Sequence, residues 1–209
     1  MRRITSTLAV SLVLASIQLT AGCASNKAAT EQVAERTAGT FLQDLKTLPG
    51  LLDGASSSLV SLTDIRNADK ASGLANLTKS IGSLEGFNSK IGSEFEMLSK
   101  YGEKYFADSR KSIAAAMGSG DRAAAEKAMA DTNAERSRFN LYRDQLRVTQ
   151  TEYNKLILDM RDLSKDLTAN PTADGIAKLS DRINAALNST TNVKARATGL
   201  VQTLQSALK

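Results

Sequence analysis

Histidine and tryptophan are absent from this chain, cysteine occurs once and proline twice in 209 residues. Without histidine there can be no Ser-His-Asp or Cys-His nucleophile and no Glu-x-x-His ligand pair of the kind that di-metal helical bundles use. The single cysteine, Cys23, allows no disulfide within the chain. It is also far from the four-ligand set of a structural zinc site. A phosphate-cradling loop is missing too: Gly118-Ser119-Gly120 lacks both the following lysine and the preceding strand. Asp159, Asp162 and Asp166 recur along one predicted helix. Asp159 and Asp162 are close enough in sequence to approach each other, but a solvated acidic face explains the spacing. These absences predict a protein without catalytic residues, without a metal and without a cofactor.

The first charges are Arg2 and Arg3, and Ile4 to Ala21 then carry none. A positive start followed by an apolar run is the pattern of an export signal. The run is short for a membrane span, which needs roughly 20 mostly apolar residues, and Ser, Thr and Gln interrupt it. It ends in Leu19-Thr20-Ala21-Gly22-Cys23. This segment resembles the lipobox of bacterial lipoproteins. One position differs, since the usual leucine three residues before the cysteine is here Thr20. The resemblance implies cleavage between Gly22 and Cys23 and a diacylglycerol on the Cys23 thiol. A lone cysteine in an exported chain otherwise needs an intermolecular partner or remains a free thiol. Each buried methylene of an acyl chain is worth about 0.8 kcal/mol, so two or three chains anchor firmly. Ala24 rather than Asp follows the cysteine, which in such lipoproteins of Gram-negative bacteria favours the periplasmic side of the outer membrane. The expected organisation is a signal over 1–22, a lipidated start and short polar tether over 23–30, and one domain over 31–209.

Loss of residues 1–22 removes two arginines and no acid, so the formal charge falls from +5 to +3. That small, scattered excess argues against a nucleic-acid surface. Aromatics are only 4% of the chain, and Ala, Leu, Ser and Lys are abundant, a composition that favours helix.

Four segments place apolar residues at alternating steps of three and four, the beat of helices that seek partner helices. The first is Phe41, Leu45, Leu48, Leu52, Ala55, Leu59, Leu62. The second runs from Leu74 through Leu77, Ile81, Leu84, Asn88, Ile91, Phe95, Leu98 and Gly102 to Tyr105. The third runs from Thr132 through Glu135, Phe139, Tyr142, Leu146, Thr149, Tyr153, Leu156, Met160 and Leu163 to Leu167. The fourth runs from Ile176 through Leu179, Ile183, Ala186, Thr190, Val193, Ala197, Leu200 and Leu204 to Ala207. Breaks fall at Arg66–Lys70, at Gly118–Asp121 with Asp121 as an N-cap, and at Asn170-Pro171, where Thr172 or Asp174 caps the next helix. Pro49 predicts a kink near Leu45 to Gly50. Gly82, Gly86 and Gly92 each weaken the second helix by roughly 1 kcal/mol relative to alanine. Tyr101, Phe106 and Leu141 lie off the stripes and are expected to widen the core. The fold class that follows is all-α, an elongated antiparallel bundle of three or four helices. Asn88, Glu135 and Thr149 either set its register or face outward.

Glu152-Tyr153-Asn154-Lys155-Leu156, Asp159-Met160-Arg161 and Asn192-Val193-Lys194-Ala195-Arg196-Ala197 followed by Leu200 resemble a family of helical bacterial lipoproteins of unknown function. The resemblance implies a fold and a compartment, not an activity. Lys209 matches the C-terminal lysine through which one small outer-membrane lipoprotein joins peptidoglycan, but it is a single common residue. Arg136, Arg143 and Arg147 fall on roughly one face of the third helix and form a candidate interaction strip. The leading expectation is a membrane-anchored envelope lipoprotein with a structural or protein-binding role and an unidentified envelope partner. The alternative is a peripheral module that meets an anionic membrane through the arginine strip.

Overall fold

A computed structural model describes residues 36–64, 69–118 and 122–207. The residues predicted to form an export signal and tether, Cys23, residues 65–68, residues 119–121 with the expected turn and Asp121 cap, and Lys209 lie outside them. The described residues contain helices and no strand, so the fold is an all-α helical bundle. Residues 36–45 are helical, and five further helices follow: α1 (Leu48–Thr63), α2 (Lys70–Gly118), α3 (Arg122–Ala169), α4 (Ala173–Lys178) and α5 (Ser180–Ala207).

Helix boundaries have local causes. Pro49 does not kink a continuous helix. The chain leaves the helix at residues 46–47 and restarts, with Pro49 in the first turn of α1. Proline is tolerated there because the first-turn N–H groups have no helical acceptor. Thr47 keeps helical angles, φ −83° and ψ −22°, so the winding continues and the apolar stripe stays in phase across the break. At the other end of α1 the Lys70 ammonium donates to the carbonyls of Leu62 and Asp64 at 2.7 and 2.6 Å. The last carbonyls of a helix have no internal partner, and Lys70 supplies one. Asp69 accepts from the Ser72 N–H at 2.9 Å and starts α2. Ala169 ends α3 just before Asn170-Pro171, and the Thr172 hydroxyl accepts from the Gly175 N–H at 3.1 Å. The fourth stripe is divided between α4 and α5 at Leu179. Hydrogen bonds from Leu179 N to Ile176 O and from Ile183 N to Leu179 O preserve its phase.

The chain divides into two compact units. One, the four-helix unit, consists of residues 44–92 and 147–201. The other, the hairpin unit, consists of 93–146 with 1–43 and 202–209. α2 and α3 contribute a stretch to each.

In the four-helix unit the stripe that runs from Leu45 into α1 is buried throughout: Leu45, Leu48, Leu52, Ala55, Leu59 and Leu62 are at most 3% exposed. Leu77, Ile81 and Leu84 of α2, Leu156, Met160, Leu163 and Leu167 of α3, and Ile183, Val193 and Ala197 of α5 are likewise within a few per cent of full burial. Thr190 sits in this core at 2% exposure and donates to the Ala186 carbonyl one turn back. That bond removes the cost of burying a hydroxyl. Tyr153 donates to the Leu84 carbonyl at 2.7 Å and meets the Phe87 ring edge-on at 6.1 Å. Burial raises the Tyr153 pKa well above its ordinary value of 10.

In the hairpin unit α2 and α3 run antiparallel. Gly102 packs under the Phe139 ring, and Tyr105 donates to the Glu135 carboxylate at 3.3 Å. Phe106 is 1% exposed and stacks at a tilt on Phe139, 5.5 Å between ring centres. Ile113 and Ala125 are also buried.

Two expectations about the core need correction. Along α2 the buried positions are not those of a strict seven-residue repeat. Asn88 and Tyr105 are only half-buried, while Phe87 and Phe106 are buried beside them. From Tyr105 to Phe106 the buried line moves one residue forward, as it must where a seven-residue repeat falls about 20° behind a straight helix in each heptad, whereas Phe87, one residue before Asn88, is buried against the Tyr153 ring. Leu141 does not widen the core but is 56% exposed. It lies two residues beyond the seam position Phe139, about 200° around the helix.

Candidate functional site

The three arginines of the predicted strip are not brought together as a free cationic surface. Arg143 donates to Glu103 Oε1 at 2.6 Å, and Arg136 approaches Glu103 Oε2 at 3.5 Å. Glu103 thus sits between two guanidinium groups and offsets one of their two charges. The Arg143 guanidinium also lies over the Phe139 ring, 5.8 Å from its centre, a favourable cation–π position. Arg147 is exposed and belongs to the four-helix unit. Glu103 was not part of the strip. Forty residues separate it from Arg143, and only the antiparallel pairing of α2 with α3 puts them side by side.

The residues that carried the family resemblance do meet. Arg196 of α5 pairs with Glu152 of α3 at 2.7 Å. Both line a groove of about 390 Å³ together with Lys155, Ser189, Asn192 and Val193. The same segments supply Tyr153 to the core and Lys194 to an ion pair with Asp53 of α1 at 2.6 Å. Arg161 of the second motif pairs with Glu85 of α2. Exposed ion pairs of this sort are worth about 0–1 kcal/mol each. They orient the helices more than they stabilise them.

A second groove of about 440 Å³ lies between α1 and α2, lined by Ser57, Ser61, Asn76, Lys79, Ser80 and Ser83 among others. Its hydroxyls are partly engaged by their own helices: Ser61 donates to Ser58 O and Ser83 to Lys79 O. Its lining contains no carboxylate that could serve a serine as base. Asp159 and Asp162 are exposed on α3, and Asp166 pairs with Arg182 of α5. Among the described residues no group of three or more Asp, Glu, His or Cys side chains could hold a metal ion, and no helix is long and apolar enough to cross a membrane. The hydrogen bond that Asp108 accepts from Lys104 at 2.5 Å holds its carboxyl pKa below the ordinary value, helped by the charge of Lys111.

Comparison of the chain with protein-family models, with curated proteins and with solved structures finds no match.

Proposed function

We propose that this chain is an envelope lipoprotein, held to a bilayer by acyl chains on Cys23, whose helical domain serves as a non-enzymatic scaffold for protein contacts. One observation carries the reading. The chain's single cysteine stands at the end of a positively started, uncharged apolar leader, directly after Ala21-Gly22. The alanine after it favours the periplasmic face of an outer membrane. The scaffold role is supported by the described side chains. Many of them are spent on packing helices and on ion pairs between them.

The test is labelling of cells that express the full chain with tritiated palmitate. The wild-type protein is expected to take up label and to begin at Cys23. A Cys23→Ser variant is expected to remain unlabelled and to keep residues 1–22. A wild-type product without label, or one cut elsewhere, contradicts the reading. In-cell cross-linking that captures no protein, together with an unchanged envelope on deletion, contradicts the scaffold role.

A further inference from the structure

Four methionines lie among the described residues, and they divide by unit. Met160, in the core of the four-helix unit, is 0% exposed. Met97, Met117 and Met129, all in the hairpin unit, are 41%, 37% and 40% exposed. Methionine is among the residue types most often buried, where its flexible side chain fills irregular gaps in a core. Side chains as open as these three do little of that. Their sequence neighbours Glu96, Gly118 and Ala130 are exposed as well. The three are also spread out. Met117 lies one residue before the end of α2, and Met129 is about two turns into α3. Met97 stands about 30 Å of helix before Met117. The thioethers are spaced along the hairpin, not gathered into one patch.

What an exposed thioether offers is the lone pair of its sulfur. A hydroperoxide can transfer one oxygen atom to it. The sulfur attacks the distal peroxide oxygen, and the S–O bond forms as the O–O bond breaks. The departing oxygen takes the proton and leaves as water or an alcohol. Sulfur is oxidised by two electrons and the peroxide is reduced by two. The product is methionine sulfoxide, which dedicated reductases return to the thioether. Competing groups are few, since the chain has no histidine, no tryptophan and a single thiol at Cys23. The consequences differ between the units. A sulfoxide is polar, and on Met160 its oxygen would be buried in a core that also holds Leu156 and Leu163. Buried polar atoms need a hydrogen-bond partner. On Met97, Met117 and Met129 water can supply one, and the helix packing need not change.

We infer that Met97, Met117 and Met129 are sites of reversible oxidation, at which the hairpin unit takes oxygen from hydroperoxides while the core thioether of Met160 stays reduced. The inference depends neither on an anchor at Cys23 nor on a partner protein. It rests on the burial of one thioether and the exposure of three.

The experiment exposes the purified full-length gene product to dilute hydrogen peroxide and follows each methionine-containing peptide by mass spectrometry. Met97, Met117 and Met129 are each expected to gain one oxygen at least about tenfold faster than Met160. In urea that unfolds the chain the four rates should converge. The oxidised protein should keep its helical circular dichroism and its thermal midpoint. Methionine sulfoxide reductases for the two epimers should remove all three oxygens from the folded protein. A variant with Met97→Leu, Met117→Leu and Met129→Leu conserves side-chain volume. It should fold normally and lose the fast peroxide consumption. In cells exposed to peroxide the same three residues should carry the oxygen and lose it once the peroxide is removed. Oxidation of Met160 as fast as the other three in the folded protein overturns the inference. So does unfolding when the exposed three are oxidised, resistance of their sulfoxides to the reductases, or their absence from peroxide-treated cells.

Discussion

The two units of this protein use the same helices to different depths. Among the described residues, eleven of the twelve largest fully buried side chains lie in the four-helix unit and Phe106 lies in the hairpin unit. The four-helix unit closes its core with layers of leucine from α1, α2, α3 and α5. The hairpin unit instead lays aromatic rings across a two-helix seam and leaves several half-exposed. A helix with one apolar stripe needs a partner on that stripe. Two helices satisfy each other along one line only, and aromatic or methionine side chains beside that line stay open to solvent. Full burial is thus concentrated in one unit and half-exposed aromatic side chains in the other.

The largest effect expected from breaking this contrast is at Leu156, fully buried in the four-helix unit. Leu156→Ala should cost about 2–5 kcal/mol, read as a lower urea midpoint. Leu98→Ala, half-buried in the hairpin unit, should cost clearly less. Equal losses would show that the hairpin is packed as tightly as the other unit. Next comes Gly102→Ala. A methyl group there would collide with the Phe139 ring, and overpacking of this kind costs about 1–3 kcal/mol. Thermal melts of the variant should show the loss, and Phe139→Leu should restore part of it.

A smaller effect attaches to Tyr153. Removing its hydroxyl in Tyr153→Phe breaks the bond to the Leu84 carbonyl and should cost about 1 kcal/mol at neutral pH. The sign at high pH follows from the raised pKa. The folded protein holds this proton more tightly than the unfolded chain does. Its contribution is complete below pH 10 and is lost as pH rises from 10 toward the folded value. Wild type should therefore lose stability above pH 10 more steeply than Tyr153→Phe. Parallel alkaline curves would contradict the burial of that hydroxyl. The smallest effect is at Gly82, whose added methyl group would meet nothing within 4 Å. Gly82→Ala should raise stability by up to about 1 kcal/mol, and a loss would point to a contact on that face.

The apolar beat of three and four made the four-helix unit legible in the sequence almost residue by residue, because its helices bury a full stripe and burial enforces the spacing. Pro171 and Thr172 marked the end of α3 and the cap of α4 through local stereochemistry that needs no tertiary information. The break before Pro49 was less legible, since Thr47 keeps helical angles and the stripe does not register the interruption. In α2 the rule lost Phe106, where a straight helix outruns a seven-residue repeat, and Phe87, whose burial comes from its contact with the Tyr153 ring across the unit. The arginine strip was visible only as cations. Glu103, which draws two of them together, could not be paired with Arg143 from spacing alone. The groove that joins Glu152 to Arg196 likewise depends on α3 and α5 packing side by side.

Residue-resolved hydrogen exchange on the protein tests the contrast between the two units most directly. Amides of 48–63, 77–92 and 149–167 should be strongly protected. Those of 97–118 and 122–141 should exchange faster. Uniform protection in both stretches would contradict the account.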